Sequence, residues 1–141
     1  MRAADGRKLP RSLSWPHGHW DWPMRVSFQQ ALKIGKWIFL GGQVALDPQG
    51  KTIEAGNMVA QTRVNMDFIR NLFVGFDARM QDMVKLTCFY KTQGGAASLH
   101  DNLAVRSSYF DGVGPASTSV PLENLGFEGV MLEIEGIALL D

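Results

Sequence analysis

The sequence predicts an α+β domain in which two helices pack on one face of a mixed β-sheet, in the order β-β-α-β-α-β-β. Three observations predict this fold class: strand-like segments outnumber helix-like segments, each helix-like segment carries one apolar stripe, and no linker or repeat divides the 141 residues. A helix with a single apolar face must bury it against another layer. A layer of helices on one sheet is the simplest arrangement that does so.

Residues 1–24 are predicted to form an irregular arm, and residues 25–141 the domain itself. Within the arm, SWPHGHWDWP places three tryptophans and two histidines in ten residues. Its prolines interrupt both the period of a strand and that of a helix. The tryptophans either cover apolar surface or overhang a binding pocket. His17 and His19 supply too few ligands for a metal site, so no metal is expected.

The first two strands of the domain are predicted at residues 25–35 and 36–46, with a tight turn around Gly35 between them. DPQGK, at 47–51, has the proline and glycine positions of a turn. The helix that follows is predicted over residues 56–76. Its apolar stripe consists of Thr62, Met66, Ile69, Phe73 and Phe76.

A second helix is predicted over residues 99–110, after a strand at 83–91, with Ser98 as its N-cap and Asp101 in the capping-box position. The stripe of this helix contains Leu99, Leu103, Arg106 and Phe110. An arginine in an inward-facing stripe has two interpretations. Either its aliphatic stem packs while its head reaches the rim, or its guanidinium receives a carboxylate. The pattern leaves both open.

Two strands are predicted to complete the sheet, PASTSVPL at residues 115–122 and VMLEIEGIALL at 130–140. In the last strand, Glu133 and Glu135 alternate with apolar residues and therefore share one face of the sheet. Two acids on an exposed face are ordinary solvated residues. A glutamate beside a run as apolar as GIALL would instead be partly desolvated, which raises its pKa and suits general acid–base work.

Composition and charge narrow the classes of function. Fourteen basic and fourteen acidic side chains give zero net charge, which is not the electrostatic footprint of a nucleic-acid binder. The sequence contains no apolar run of about 18 residues and no signal-peptide core, so a soluble, cytoplasmic protein without a membrane partner is expected. The single cysteine, Cys88, lies in a strand-like segment and is predicted to be a buried, inert thiol.

Five segments, taken in order, resemble the Rid (YjgF) family, also called the L-PSP endoribonuclease-like proteins. They are FLGGQVALDPQGK, DMVKLTCFYK, SSYF, PASTSV and LEIEGIAL, and the resemblance covers residues 25–141. It implies a chorismate-mutase-like fold and a homotrimer with pockets at the subunit clefts. Those family members that are enzymes hydrolyse enamines and imines to ketoacids and ammonia. The resemblance implies no metal or organic cofactor.

Three site residues follow from the resemblance on the first strands and the last one. Glu133 matches the glutamate that positions the attacking water in the deaminases. Gly41 stands where the family has a serine or glycine that lines the site. Phe28 replaces a tyrosine, so the aromatic wall is kept while its hydroxyl is lost.

The second helix and the PASTSVPL strand depart further from the family. Ser119 matches a position that is often cysteine, and either Leu103 or the adjacent Asn102 stands at the position of a pocket asparagine. Ser117 replaces the arginine that binds the substrate carboxylate, and a hydroxyl cannot form that bidentate pair. Arg106, one turn along the helix from Leu103, is the candidate for a replacement cation.

Three functions remain open from the sequence. The first is an enamine or imine deaminase acting on a substrate other than short free 2-imino acids, such as a larger or aromatic one. The second is a non-catalytic trimer that binds a small metabolite. The third, RNA cleavage or translation inhibition, conflicts with the zero net charge. The retained Glu133 favours the first.

Overall fold

The structure, a computed structural model, describes residues 4–16, 18–92 and 96–141. The strands of this part of the chain are β1 (Arg11–Ser14), β2 (Ala31–Ile34), β3 (Trp37–Val44), β4 (Met83–Lys91), β5 (Ala116–Leu122) and β6 (Leu132–Leu139). The helices are α1 (Met58–Val74) and α2 (Ala96–Ser107), and a short 3₁₀ turn, Met80–Asp82, precedes β4.

The strands form one mixed sheet in the order β1-β2-β3-β6-β4-β5. Neighbouring strands are antiparallel except for β4 and β5, which are parallel. A parallel pair needs a long crossover, and α2 supplies it. Helix α1 packs against β3 and β6, and α2 packs against α1. The predicted fold class, two helices on a mixed sheet, is therefore confirmed.

The stripe predicted for the first helix is buried in full, with Phe76 lying just beyond the end of α1. Asn57 caps the helix, its side chain accepting a hydrogen bond of 3.1 Å from the Ala60 N–H. The main core lies between this stripe and the inward-facing side chains of the sheet. Cys88 belongs to that core, and burial raises its pKa to about 11, as expected of an inert thiol.

The prediction of an irregular arm is wrong for Arg11–Ser14, which form β1 and pair with β2 along its whole length. Four residues are too few for a period to be read, and the pairing exists only because β2 offers a free edge. The first predicted strand is also too long. In the structure this strand is β2 and spans Ala31–Ile34. Before it, the Gln30 carbonyl oxygen accepts a hydrogen bond of 2.9 Å from the Gly41 N–H of β3.

The second helix differs from its prediction at both its start and its register. It begins at Ala96, so Ser98 lies inside it and is not its N-cap. Its inward-facing side chains include Asn102 and Arg106, whereas Leu103 is 36% exposed. The predicted stripe is therefore wrong at Leu103, where the inward-facing residue is the preceding Asn102. This polar side chain can be buried because it hydrogen-bonds to the Ser98 carbonyl oxygen and to Arg106.

Alternation along β6 separates the two faces of the sheet. Ile134 and its neighbours at even positions face the helices and are buried, while Glu133, Glu135 and Ile137 face the opposite side. Neither helix of the described residues packs on this opposite side, which we call the open face. Trp37 and Phe39 of β3 are exposed on it.

Candidate functional site

A cavity of about 430 Å³ lies beside the β3–β6 pair, and we call it the Glu133 cavity. Its lining residues are Trp20, Trp22, Phe28, Gln29, Gln30, Gly41, Gly42, Val44, Gly126, Phe127 and Glu133. Of these, Glu133 alone has an ionisable side chain. The cavity thus combines one acid with several aromatic rings and amides.

Two glycines in β3 make room for the Glu133 carboxylate. The register between β3 and β6 shifts between Leu40 and Gln43, so Gly41 and Gly42 form an irregularity opposite the start of β6. A Cβ added at Gly42 would overlap Oε1 of Glu133. The carboxylate therefore lies directly over the backbone of Gly42, and any larger residue there would displace it.

The surroundings of Glu133 raise the pKa of its carboxyl group. Burial is the main cause, because it disfavours the charged form, and the charge of Glu135 adds to the effect. Glu135 lies two residues along the same face of β6. The partial desolvation expected for Glu133 is therefore confirmed. A carboxylate with a raised pKa is a better proton acceptor than an exposed glutamate.

The arm is fixed against the domain by a buried polar chain. Gln43 is fully buried, and its Nε2 donates to Gln30 Oε1 at 2.8 Å, while its Oε1 lies 3.2 Å from His19 Nε2. The His19 ring packs against Phe68 with 4.4 Å between centroids. Burial lowers the pKa of His19, so the neutral imidazole is favoured. These contacts hold the adjacent Trp20 in place.

Trp20 combines both roles that the sequence left open for the tryptophans. It is buried in a small apolar cluster with Val44, Leu46 and Val130, and it also lines the Glu133 cavity.

His19 serves as an anchor in this structure, and His17 lies outside the described residues. Among residues 4–16, 18–92 and 96–141 there is no group of three or more His, Cys, Asp or Glu side chains able to hold a metal ion. No helix in that part of the chain is long and apolar enough to cross a bilayer.

A second cavity, of about 140 Å³, surrounds Arg106, and we call it the Arg106 cavity. Its lining residues are Leu86, Leu103, Arg106, Ser107, Phe110, Gly112, Gly114, Pro115 and Ser117. Arg106 is only 3% exposed, so its guanidinium head does not reach the rim. The sequence interpretation in which only the stem is buried is therefore wrong.

Three neutral groups hold the Arg106 guanidinium. It donates to Asn102 Oδ1 at 2.9 Å, to Ser117 Oγ at 3.1 Å and to Ser119 Oγ at 3.0 Å. Burial lowers its pKa. In the described part of the chain no carboxylate lies within ion-pair distance of it. Guanidinium has five N–H donors, so two N–H groups remain beyond these three bonds.

The structure divides the eight predicted site residues into two groups. Phe28, Gly41 and Glu133 line the Glu133 cavity, whereas Asn102, Leu103, Arg106, Ser117 and Ser119 line or build the Arg106 cavity. Cross-strand pairing shows that the groups lie on opposite faces: Ile134, Cys88 and Ser119 face the helices, while Glu133 and its β4 neighbour face the other side. One chain does not bring the two groups together.

Sequence reasoning missed Gly42, Phe127 and the anchoring residues Gln43 and Gln30. The signal for Gly42 was present, because a glycine pair inside a strand indicates a bulge or a close approach. Phe127 lies in a loop, ENLGFEGV, that no periodic pattern assigns to the site. Gln43 alternates with neighbours on β3, but its burial depends on an arm whose position the sequence did not predict.

Comparisons with known proteins find relatives that cover most of the chain. The family model for Endoribonuclease L-PSP matches residues 23–140. A RutC family protein of Pyrococcus abyssi is 32% identical over 111 residues, covering 79% of this chain and 84% of that protein. The 2-iminobutanoate/2-iminopropanoate deaminase of Escherichia coli K12 is 25% identical over 112 residues, covering 79% of this chain and 86% of the enzyme.

Solved structures show the same fold. A crystal structure from Thermotoga maritima has a TM-score of 0.73 at 26% identity, covering 82% of this chain and 88% of that one. The YjgF gene product of Escherichia coli has a TM-score of 0.69 at 24% identity, covering 82% of this chain and 89% of that one. These likenesses confirm the fold that the sequence resemblance implied.

Proposed function

The chain belongs to the Endoribonuclease L-PSP family, the Rid (YjgF) proteins, and we propose that it hydrolyses the C=N bond of an imine, or of an enamine after tautomerisation, with release of ammonia. Its similarity to a 2-iminobutanoate/2-iminopropanoate deaminase supports the reaction class. The observation that carries the proposal is the Glu133 carboxylate, half-buried over Gly42 on the wall of a cavity, with its pKa raised.

Glu133 has the position and basicity to activate water. In the proposed step the ionised carboxylate accepts a proton from water while the water oxygen bonds to the imine carbon. The same carboxyl group then returns the proton to the nitrogen of the tetrahedral intermediate. The carboxylate next takes the proton of the new hydroxyl group and passes it to the nitrogen, so that the C–N bond breaks with ammonia as the leaving group while the C–O bond becomes the carbonyl of the product. No step requires a metal or an organic cofactor.

Arg106 is proposed to bind the anionic end of the substrate. The family's arginine is absent at Ser117, but the Arg106 guanidinium lies 3.1 Å from the Ser117 hydroxyl and so occupies the neighbourhood of the missing group. Its two remaining N–H groups are donors for a carboxylate. Because Asn102, Ser117 and Ser119 already hold the guanidinium, a substrate would meet a cation that is already oriented.

A homotrimer would unite the two cavities. Arg106 and Glu133 lie on opposite faces of one sheet, so one substrate can meet both only between two chains. The open face, with exposed Trp37, Phe39 and Leu139, is an apolar surface of the kind that subunit interfaces bury. The proposed site is therefore a cleft to which one chain contributes Glu133 and the next contributes Arg106.

The proposed function predicts ammonia release from imines that depends on Glu133. Imines are generated in situ from several amino acids with an amino-acid oxidase, and ammonia is followed with and without this protein. Glu133→Gln should reduce the rate about 100-fold or more. Glu135→Gln, on the same strand face, is the matched control and should remain active. Equal, slow rates for the wild type and Glu133→Gln would favour the alternative, a non-catalytic metabolite-binding trimer.

A further inference from the structure

We propose that the tryptophan-rich arm builds a subsite for the side group of the substrate, and that this subsite selects imines carrying an aromatic ring. The inference rests on the deaminase function proposed above and adds a substrate class to it. We call the subsite the aromatic chamber, defined by Trp20, Trp22, Phe28 and Phe127. All four line the Glu133 cavity.

The four rings form one connected cluster, in which three ring pairs are edge-to-face and the Trp22–Phe127 pair is tilted at 49°. Trp22 meets Phe28 at 5.5 Å between centroids with an interplanar angle of 85°, and it meets Trp20 at 4.5 Å and 63°. Phe127 lies 6.0 Å from Trp20 and 6.4 Å from Trp22. Aromatic pairs prefer these separations and angles, so a further ring entering the cavity would find faces and edges arranged for the same contacts.

The apolar cluster beneath the arm does not account for the whole chamber. Trp20 is buried among Val44, Leu46 and Val130, and packing explains its place. Phe28, by contrast, is 54% exposed even though its ring contacts Trp22. A large apolar ring left half open on a cavity wall has surface available for a ligand, and covering that surface would remove it from water.

The charges around the cavity direct the two ends of a substrate. Glu133 is the sole ionisable group among the lining residues, and within the described part of the chain no basic side chain belongs to this lining. A carboxylate placed among the rings would face a second negative charge without a partner. The anionic end of a substrate must therefore point out of the chamber, and the uncharged side group must point into it.

Size and rigidity agree with an aromatic occupant. The cavity volume of about 430 Å³ lies within the range of sites that enclose drug-sized ligands and is much larger than the shortest imino acids require. The Trp20 side of the wall is also held in place by the protein itself, since Gln43 holds His19, His19 immediately precedes Trp20, and Trp20 is buried. A preorganised wall loses little entropy on binding, which favours selectivity.

The test compares an aromatic imine with a short one in the same full-length protein. Imines are generated in situ from phenylalanine and from alanine, and kcat/KM for ammonia release is measured for each. The wild type should prefer the phenylalanine-derived imine by about 10-fold or more, the discrimination that an apolar pocket provides. Trp22→Ala and Phe28→Ala should each remove most of that preference, because each deletes ring contacts that the phenylalanine-derived imine makes and the short alanine-derived imine does not.

Trp15→Ala is the matched control, because Trp15 belongs to the same arm but does not line the Glu133 cavity. This variant should keep the wild-type preference. Thermal unfolding of each variant identifies one that fails to fold, and in that case the wild-type preference alone decides. A wild type that shows no preference for the phenylalanine-derived imine would overturn the inference, and this is the result expected if a neighbouring chain fills the chamber. Chamber variants that slow both imines equally would overturn it as well.

The same panel separates this inference from the proposed function. If Glu133→Gln abolishes ammonia release but the preference is absent, the chamber proposal fails and the deaminase proposal stands. If Glu133→Gln releases ammonia from both imines as fast as the wild type, the deaminase proposal itself fails.

Discussion

Among single residues, Glu133 shows a conflict between basicity and stability, because the surroundings that make its carboxylate more basic also destabilise its charged form. Its carboxylate lies over Gly42 in partial burial, and Glu135 repels its charge from the same strand face. Both effects raise its pKa above the ordinary value, so the unfolded chain releases this proton more readily than the folded one. Ionised Glu133 therefore destabilises the fold as pH rises through that interval, which is the cost of a more basic carboxylate.

Removing the charge of Glu135 should shift the pH dependence of activity. In the proposed mechanism Glu133 accepts a proton only when it is ionised, so activity should fall as pH drops through its raised pKa. In Glu135→Gln one cause of the raised pKa is absent. The acidic limb of the kcat/KM profile should consequently move to lower pH, with kcat at neutral pH nearly unchanged. Glu123→Gln, in an exposed loop, should leave the profile in place; a limb that moves equally in both variants would contradict the assignment.

Gly42→Ala should inactivate the protein by displacing the Glu133 carboxylate. The added methyl group would overlap Oε1, so the Glu133 side chain must leave its present position over Gly42. We expect a loss of about 100-fold in kcat/KM, comparable with Glu133→Gln. The double variant Gly42→Ala/Glu133→Gln serves as the control, because two changes that remove the same carboxylate should together lose little more activity than either one alone. A double variant whose loss is the product of the single losses would show that Gly42 acts independently of Glu133.

Arg106→Lys tests the proposed anion-binding role of Arg106 while keeping a positive charge. Lysine lacks the planar fork and cannot reproduce the bonds to Asn102, Ser117 and Ser119. For a carboxylated imine, kcat/KM should fall about 10- to 100-fold, which corresponds to one charge-assisted interaction. An imine derived from benzylamine, which has no carboxylate, should be affected much less. Equal losses for both substrates would mean that Arg106 is only a structural residue.

At the scale of elements, the arm is part of the sheet and of the cavity wall. Strand β1 extends the sheet beyond β2. His19 and Trp20 attach the arm to β3, because His19 hydrogen-bonds with Gln43 and Trp20 packs against Val44. The site therefore depends on a segment that regular patterns did not predict. Loss of the arm would open the aromatic chamber while leaving Glu133 on its strand.

Acidification should release the arm through His19. Burial lowers the pKa of His19, and its contacts, Gln43 and Phe68, carry no charge that could stabilise an imidazolium. The docked arm is thus fully stabilised above the ordinary pKa of about 6.5 and loses stability as pH falls from there through the lowered value. Tryptophan fluorescence should report this release. His100→Gln, on the exposed side of α2, should not alter the transition, whereas His19→Gln should abolish its pH dependence.

Sequence patterns predicted the long, periodic elements and missed what tertiary contacts determine. The α1 stripe and the strand Met83–Lys91 were predicted correctly, because an element buried on one face has apolar residues at regular intervals in its sequence. Strand β1 has only four residues, and the start of α2 lies next to glycines that resemble a loop. In the site, the acidic residue and its desolvation were predictable, whereas the separation of Arg106 from Glu133 required the sheet register.

At the scale of the whole molecule, a shared site makes a prediction about mixtures of chains. Glu133→Gln and Arg106→Ala chains should each be nearly inactive on a carboxylated imine. Refolded together in equal amounts, they should regain about a quarter of the wild-type sites, because that share of interfaces pairs an intact Glu133 with a neighbour's intact Arg106. Mixing Glu133→Gln with Gly42→Ala provides the control, since both changes damage the same contribution and no mixed interface is intact. A mixture of the first pair that stays inactive, although light scattering shows trimers, would mean that Arg106 and Glu133 do not share a site.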